Sequence, residues 1–158
     1  MPTFTGAVAA LYTAGHKLID SELKTWFDAL AALTGASTPY APTLTNITIG
    51  NGVVTAKYIQ SGKLVHYSGK ISFGSTTAVT GTIGVSVPVN AVDTIGIGSA
   101  LCYDSSTTPS RSGGECDFSA VGVLEFFGGN GGGPANTTLP FTWGVNDQLR
   151  WDITYEAA

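Results

Sequence analysis

This chain is poor in charge. Only 11% of its 158 residues are Asp, Glu, Lys or Arg, against ~25% in ordinary globular domains. Basic residues are the rarer sign: Lys17, Lys24, Lys57, Lys63, Lys70, Arg111 and Arg150 make up all seven, they are scattered along the chain, and the net charge is −4. A phosphate-binding surface needs clustered Lys and Arg, so a nucleic-acid partner is not expected. Long apolar runs are missing too. No stretch approaches the ~18 residues of a membrane span, so no membrane insertion is expected. The stretch MPTFTGAVAALYTAGHKL has no basic residue before its mildly apolar middle, which predicts synthesis in a cytoplasm without Sec export.

Groups able to do chemistry are equally sparse. The two histidines, His16 and His66, lie in different segments, and His66 falls on the polar face of a predicted strand. No GxSxG or HExxH occurs, and neither cysteine sits in a nucleophile motif. Catalytic residues are therefore not assigned, and an enzyme is not expected. Without CxxC or paired histidines a zinc site is not expected either. Asp104, Glu115 and Asp117 surround a Ser/Gly loop but lack EF-hand spacing, so no metal or cofactor is assigned. The run GGNGGG is followed by no GK[ST] and opens no helix, which favours a flexible loop over a phosphate cradle. Cys102 and Cys116 are the only cysteines. Two readings stand open for them: free thiols near strand ends, or a disulfide worth about 3 kcal/mol for a loop of that size.

What the chain does contain is Thr, Val, Ile and Gly in alternation, with 43% apolar content that argues against disorder. One segment differs. In LIDSELKTWFDALAALTG the apolar residues Ile19, Leu23, Trp26, Leu30 and Leu33 follow 4-3-4-3 spacing, which predicts an amphipathic helix over residues 20–34. Asp20 or Ser21 caps it, Glu22 suits the dipole, and Gly35 with Pro39 and Pro42 stops it. Isolated helices of that length are marginal in water, so the narrow stripe must be buried, by self-association, by docking on a larger assembly or by packing on the chain's own β-domain. ASTPYAP at 36–42 reads as a stiff linker. The expected organisation is a helical anchoring or oligomerisation segment at 1–38 and a β-domain at 39–158.

Strands are predicted at 45–49, 53–59, 64–73, 82–87, 94–103, 120–127 and 148–156. Gly50-Asn51-Gly52 predicts a hairpin between the first two. The last strand alternates, with Leu149, Trp151, Ile153 and Tyr155 inward and Arg150, Asp152, Thr154 and Glu156 outward. Short strands at ~10-residue spacing without intervening helices predict an antiparallel sandwich or barrel. Two long loops interrupt the series, DSSTTPSRSGGE at 104–115 and GGNGGGPANTT at 128–138. Loops of that kind inside a compact domain are usually functional or mobile. Asp104, Ser105, Arg111, Asn130, Asn136 and Thr137 are their candidate ligand-binding residues.

Residues 40–89 resemble a module common in virion proteins of tailed bacteriophages. The similarity rests on the Gly-Asn-Gly turn, the Y-x-x-x-G-K-x-V run of Tyr58, Gly62, Lys63 and Val65, then Gly74-Ser75-Thr76 and a strand ending at Pro88. The ending DQLRWDITYEA is similar to the closing strand of such modules, and TAGHKLIDSELKTWFDALAAL resembles the helical segment of actinobacterial-phage minor tail proteins. The resemblance implies a mainly β, jelly-roll-like antiparallel β-sandwich behind one short N-terminal amphipathic helix. It also implies a homotrimer displayed on a virion. The function expected from it is a minor tail or fibre component that touches other virion proteins and a host-surface glycan. A capsid decoration protein is the alternative, and a glycan-degrading enzyme a remote one.

Overall fold

The computed structural model describes residues 23–28, 36–106, 109–128 and 132–158. The chain divides into two compact units, residues 1–35 and 36–158. In the first, residues 23–28 are helical and carry an exposed Lys24–Asp28 ion pair at 2.8 Å, one turn apart. Leu23 and Phe27 are exposed and Trp26 is half-buried. Ile19, Leu30 and Leu33, and with them both predicted caps, lie outside the described residues.

The second unit is mainly β. Its strands are Thr38–Tyr40 (β1), Leu44–Thr48 (β2), Val53–Ser61 (β3), Leu64–Ser72 (β4), Ala78–Ser86 (β5), Ile97–Asp104 (β6), Ser110–Ala120 (β7), Val123–Gly128 (β8) and Gln148–Glu156 (β9). All pairings are antiparallel and all nine strands join one sheet, in the order β1-β3-β4-β9-β6-β7-β8-β5-β2. A flat sheet of that width would hold its edges ~38 Å apart at ~4.8 Å per strand. Yet edge strands β1 and β2 are joined by residues 41–43 alone, a reach of at most ~14 Å. The sheet therefore curls, as a half-barrel with β1, β3 and β4 on one flank and β8, β5 and β2 on the other. Tyr40 on β1 donates its hydroxyl to the Val87 carbonyl at 2.9 Å, and Ser86 N–H donates to the Thr43 carbonyl at 2.9 Å, so the two ends of the sheet meet at the end of β5.

The sandwich expectation holds only as far as a mainly β, antiparallel fold. β9 is hydrogen-bonded to β4 along one side and to β6 along the other, which makes the sheet continuous. The Asn-Gly hairpin is overturned. β2 pairs with β5 and β3 with β4, so Gly50-Asn51-Gly52 crosses from one flank to the other. The turn after β4 makes the same crossing, and the two turns lock together. Asn51 Oδ1 accepts from Thr76 N–H and Thr76 Oγ at 2.9 Å each, its amide donates to Ser75 Oγ at 3.0 Å, and its own N–H donates to Thr76 Oγ at 2.9 Å. Gly50 has φ +55° and faces Thr76 where a Cβ would sit, so glycine is required there twice over. Two further elements were hidden in the sequence. Thr38–Tyr40, inside the stretch read as linker, is the edge strand β1, and the polar run Ser110–Ala120, read mostly as loop, is strand β7.

Inside the curl the side chains alternate in with period 2. Val65, Tyr67 and Ile71 from β4, Ile83 and Val85 from β5, Leu124 and Phe126 from β8, and Leu149, Trp151 and Ile153 from β9 are all buried. Tyr67 and Phe126 lean on Trp151 with ring centroids 5.7 and 5.6 Å away. Tyr67 and Tyr155 direct their hydroxyls to the carbonyls of Ser86 and Val89. With the Tyr40–Val87 bond, three tyrosines tether the 86–89 segment, while Ser112 Oγ and Trp151 Nε1 are buried without a hydrogen-bond partner among the described residues.

Candidate functional site

The two loops expected to present ligand-binding residues are largely absorbed into the frame. β6 runs through Asp104 and β7 starts at Ser110, so the first loop shrinks to residues 105–109. Asp104 Oδ1 accepts from Ser106 N–H at 2.8 Å. Ser105 donates its N–H to Asp147 Oδ1 at 2.8 Å and its hydroxyl to the Val145 carbonyl at 2.8 Å. Asp147, 2% exposed, also accepts the Gly144 N–H at 2.6 Å on its other oxygen. One buried carboxylate thus ties the 105 turn to the 144 turn, a structural role that no motif announced. A calcium site does not form: Asp104 pairs with Ser110, five positions from Glu115 along β7, or ~17 Å. Among the described residues no three His, Cys, Asp or Glu side chains converge.

In the second loop Asn130 lies outside the described residues. Ala135 is fully buried. It accepts from Ile83 N–H at 2.8 Å and donates to the Phe126 carbonyl at 2.6 Å, filling the place where β5 and β8 part. Asn136 Oδ1 accepts the N–H groups of Thr138 and Leu139 at 3.0 and 3.1 Å, and its carbonyl accepts Trp143 Nε1 at 2.8 Å. Trp143 in turn stacks on Phe73 at 4.5 Å. Asn136 is therefore a turn-former rather than a ligand group; Thr137 alone of the described candidates here is exposed. The apolar anchors Leu139, Phe141 and Trp143 were the available signal that this stretch packs.

Cys102 and Cys116 are free and buried. On neighbouring strands, Cys102 stands opposite Ser112 and Cys116 opposite Gly98, an offset of four positions or ~14 Å. Bridged cysteines have Cα atoms under ~7 Å apart, so the disulfide reading falls. Burial pushes both thiols up to about 12, which leaves them poor nucleophiles.

What the fold does bring together is on the outside of the curl. Lys57 (β3) stands opposite Ser68, and Lys70 (β4) stands opposite Arg150 (β9). Arg150 stands opposite Leu101 (β6), and Tyr103 (β6) opposite Arg111 (β7). By the strand alternation all of these side chains point outward. Four of the seven basic residues, apparently scattered in sequence, thus share one face. The Arg111 guanidinium lies 5.9 Å over the Tyr103 ring. Gln148 Oε1 accepts from Arg150 Nε at 3.0 Å and Nη2 at 2.6 Å, holding the guanidinium toward Tyr103. Leu101, Tyr103, Arg111 and Arg150 border a cleft of about 140 Å³. Arg150 also borders a second depression of about 320 Å³, rimmed by Thr55, Lys57, Ser68 and Lys70. The two adjoin at Arg150, and their linings together make a trough drawn from five strands.

Acidic residues occupy the other part of the same face. Asp152 accepts His66 at 3.4 Å when the imidazole is protonated, Lys63 reaches Glu156 at 3.9 Å, and Glu115, Asp117 and Glu125 follow on β7 and β8. Among the described residues, Lys57, Lys70, Arg111 and Arg150 have no carboxylate partner. Sequence showed which residues of a strand point outward; it did not show which strands are neighbours, so the trough was not visible in it. No protein-family model, no curated protein and no solved structure matches this chain.

Proposed function

We propose that this chain is a structural protein of a tailed-phage virion, a trimeric minor tail or fibre component whose β unit holds its outer face toward a host-surface glycan. The observation that supports this most is where the phage-like motif residues fall. Gly50, Asn51, Gly74, Ser75 and Thr76 make the inter-flank lock, Val65 is core, and Pro88 lies in the segment tethered by three tyrosines. A motif used for rigidity suits a display scaffold, with recognition left to surface residues. The reading carries with it a jelly-roll-like apposition of the two flanks and a trimer seam including Leu23 and Trp26.

Capsid decoration is the second reading, favoured by one surface feature. Val92, Ile95 and Ile97 are 48, 79 and 64% exposed within six residues, an apolar group fit to lie against a neighbouring virion protein. Electron microscopy of particles labelled on this chain decides. Label at the tail tip or fibre is expected, label over the head selects decoration, and particles without label overturn the virion reading.

A further inference from the structure

We infer that the outer trough formed by Lys57, Lys70, Arg150, Tyr103 and Arg111 is a binding site for a short anionic oligosaccharide, its sugars carrying carboxylate or phosphate groups. This rests on the proposed glycan-facing role and adds the chemistry of the ligand. Folding does not account for the arrangement. Lys70 and Arg150 stand directly opposite in the ladder, where like charges repel, and no carboxylate of the described residues neutralises either. A chain with only seven basic residues places four of them here. The missing counter-charge fits a ligand.

The surroundings specify which kind. Arg150 has two of its five N–H donors on Gln148, leaving three aimed outward for a carboxylate or phosphate. Thr55 and Ser68 add hydroxyls to the same rim, suited to sugar hydroxyls. Tyr103, beside Arg111, adds an aromatic side chain to the lining of the smaller cleft, suited to the apolar side of a pyranose ring. The larger depression, at about 320 Å³, falls within the ~300–1,000 Å³ of ordinary ligand clefts.

Charge density argues against nucleic acid. The trough runs ~19 Å from β3 to β7, a length over which duplex DNA carries about eleven phosphates, against four cations here. The acidic part of the face, Asp152 with Glu115 and Asp117, would repel the remainder of such a polymer. A second copy of the chain is less suited as well. Stable protein interfaces bury ~1,200 Å² or more, whereas the two depressions are small, about 140 and 320 Å³.

Titration calorimetry of the intact protein tests the site, using a short oligogalacturonate, a glycerol-phosphate oligomer, and a neutral oligogalactose of equal length. Binding of one or both anionic probes that weakens with salt, and no binding of the neutral one, is expected; which anionic probe binds tells carboxylate from phosphate. Lys70→Ser with Arg150→Ser should lower affinity about tenfold with the melting temperature kept. Lys57→Ser with Arg111→Ser, at the trough ends, should lower it less, and serves should the first pair fail to fold. The site is overturned by equal binding of neutral and charged probes, by variants that bind as before, by tighter binding of duplex DNA, or by salt-sensitive dimers that the variants abolish. Particles that carry the protein but show no anionic-probe binding would defeat this site alone. Absence from particles would defeat the virion reading and leave the site standing.

Discussion

Strands β4 and β9 lie side by side in unbroken register, and their two faces differ in what constrains them. Inward, Val65, Tyr67, Ile71, Leu149, Trp151 and Ile153 are at most 3% exposed, and each is fixed by shape. Outward, His66, Ser68, Lys70, Arg150, Asp152 and Thr154 touch water and contribute little to stability. The inner pattern is explained by folding. The outer one, with two cations opposed and acids grouped beside them, is not, and a residue pattern that folding leaves unexplained is where function is to be sought.

Alkali should break the inner face most completely. Burial pushes the Cys102 and Cys116 thiols and the Tyr155 phenol up to about 12, and raises Tyr67 further. The unfolded chain releases these protons near ~8.5 for thiols and ~10 for phenols. Stability from these groups is thus whole below ~pH 8.5 and is lost as pH rises toward 12. Circular dichroism across that range should show cooperative unfolding; a fold intact at pH 12 would mean these four groups are not buried as described.

Phe126→Ala comes next, at about 3–5 kcal/mol in urea unfolding, because it leaves a cavity beside Trp151. Its outward counterpart Thr154→Ala should change stability by under ~0.5 kcal/mol. Comparable losses from the two would erase the distinction between the faces.

Asp147→Ala should cost about 2–3 kcal/mol, since it removes the buried carboxylate that accepts from Ser105 and Gly144. Hydrogen exchange should quicken at both turns together. Asn51→Ala should cost about 1–2 kcal/mol by unlocking the turns at 49–52 and 74–77, with amide protection lost at Thr76 first.

These residues also mark how far the sequence could be read. Alternation in β9 and β4 was legible because period 2 is local, and so was the mainly β class. Register and strand order were not. Gly50-Asn51-Gly52 has the signature of a hairpin, yet the partner of that turn is Thr76, 25 residues on, a choice made by the closing of the sheet. β7 was missed because Ser112, Gly113 and Gly114 look like loop. In the sheet Gly114 is required, since a Cβ there would run into the Phe127 carbonyl. The same blindness to neighbours hid the trough. Lys57, Lys70, Arg111 and Arg150 lie up to 93 residues apart and meet only through the order β3-β4-β9-β6-β7.

The smallest expected effect bears most directly on the contrast between the faces. If Lys70 and Arg150 were placed for stability, Lys70→Ser would weaken the fold. Here Lys70 has no carboxylate partner and faces Arg150 at the ~5 Å Cβ separation of a cross-strand pair. Its removal relieves a repulsion, and no ion pair among the described residues is lost with it. A gain of ~0.2–0.5 kcal/mol in urea unfolding is expected at low salt, shrinking as added salt screens the pair. Arg150→Ser should give a similar gain less the contact with Gln148, and the double variant should gain less than the sum, because one repulsion cannot be relieved twice. A loss on mutating Lys70 would mean that the cation supports the fold, and the outer face would then need no ligand to explain it.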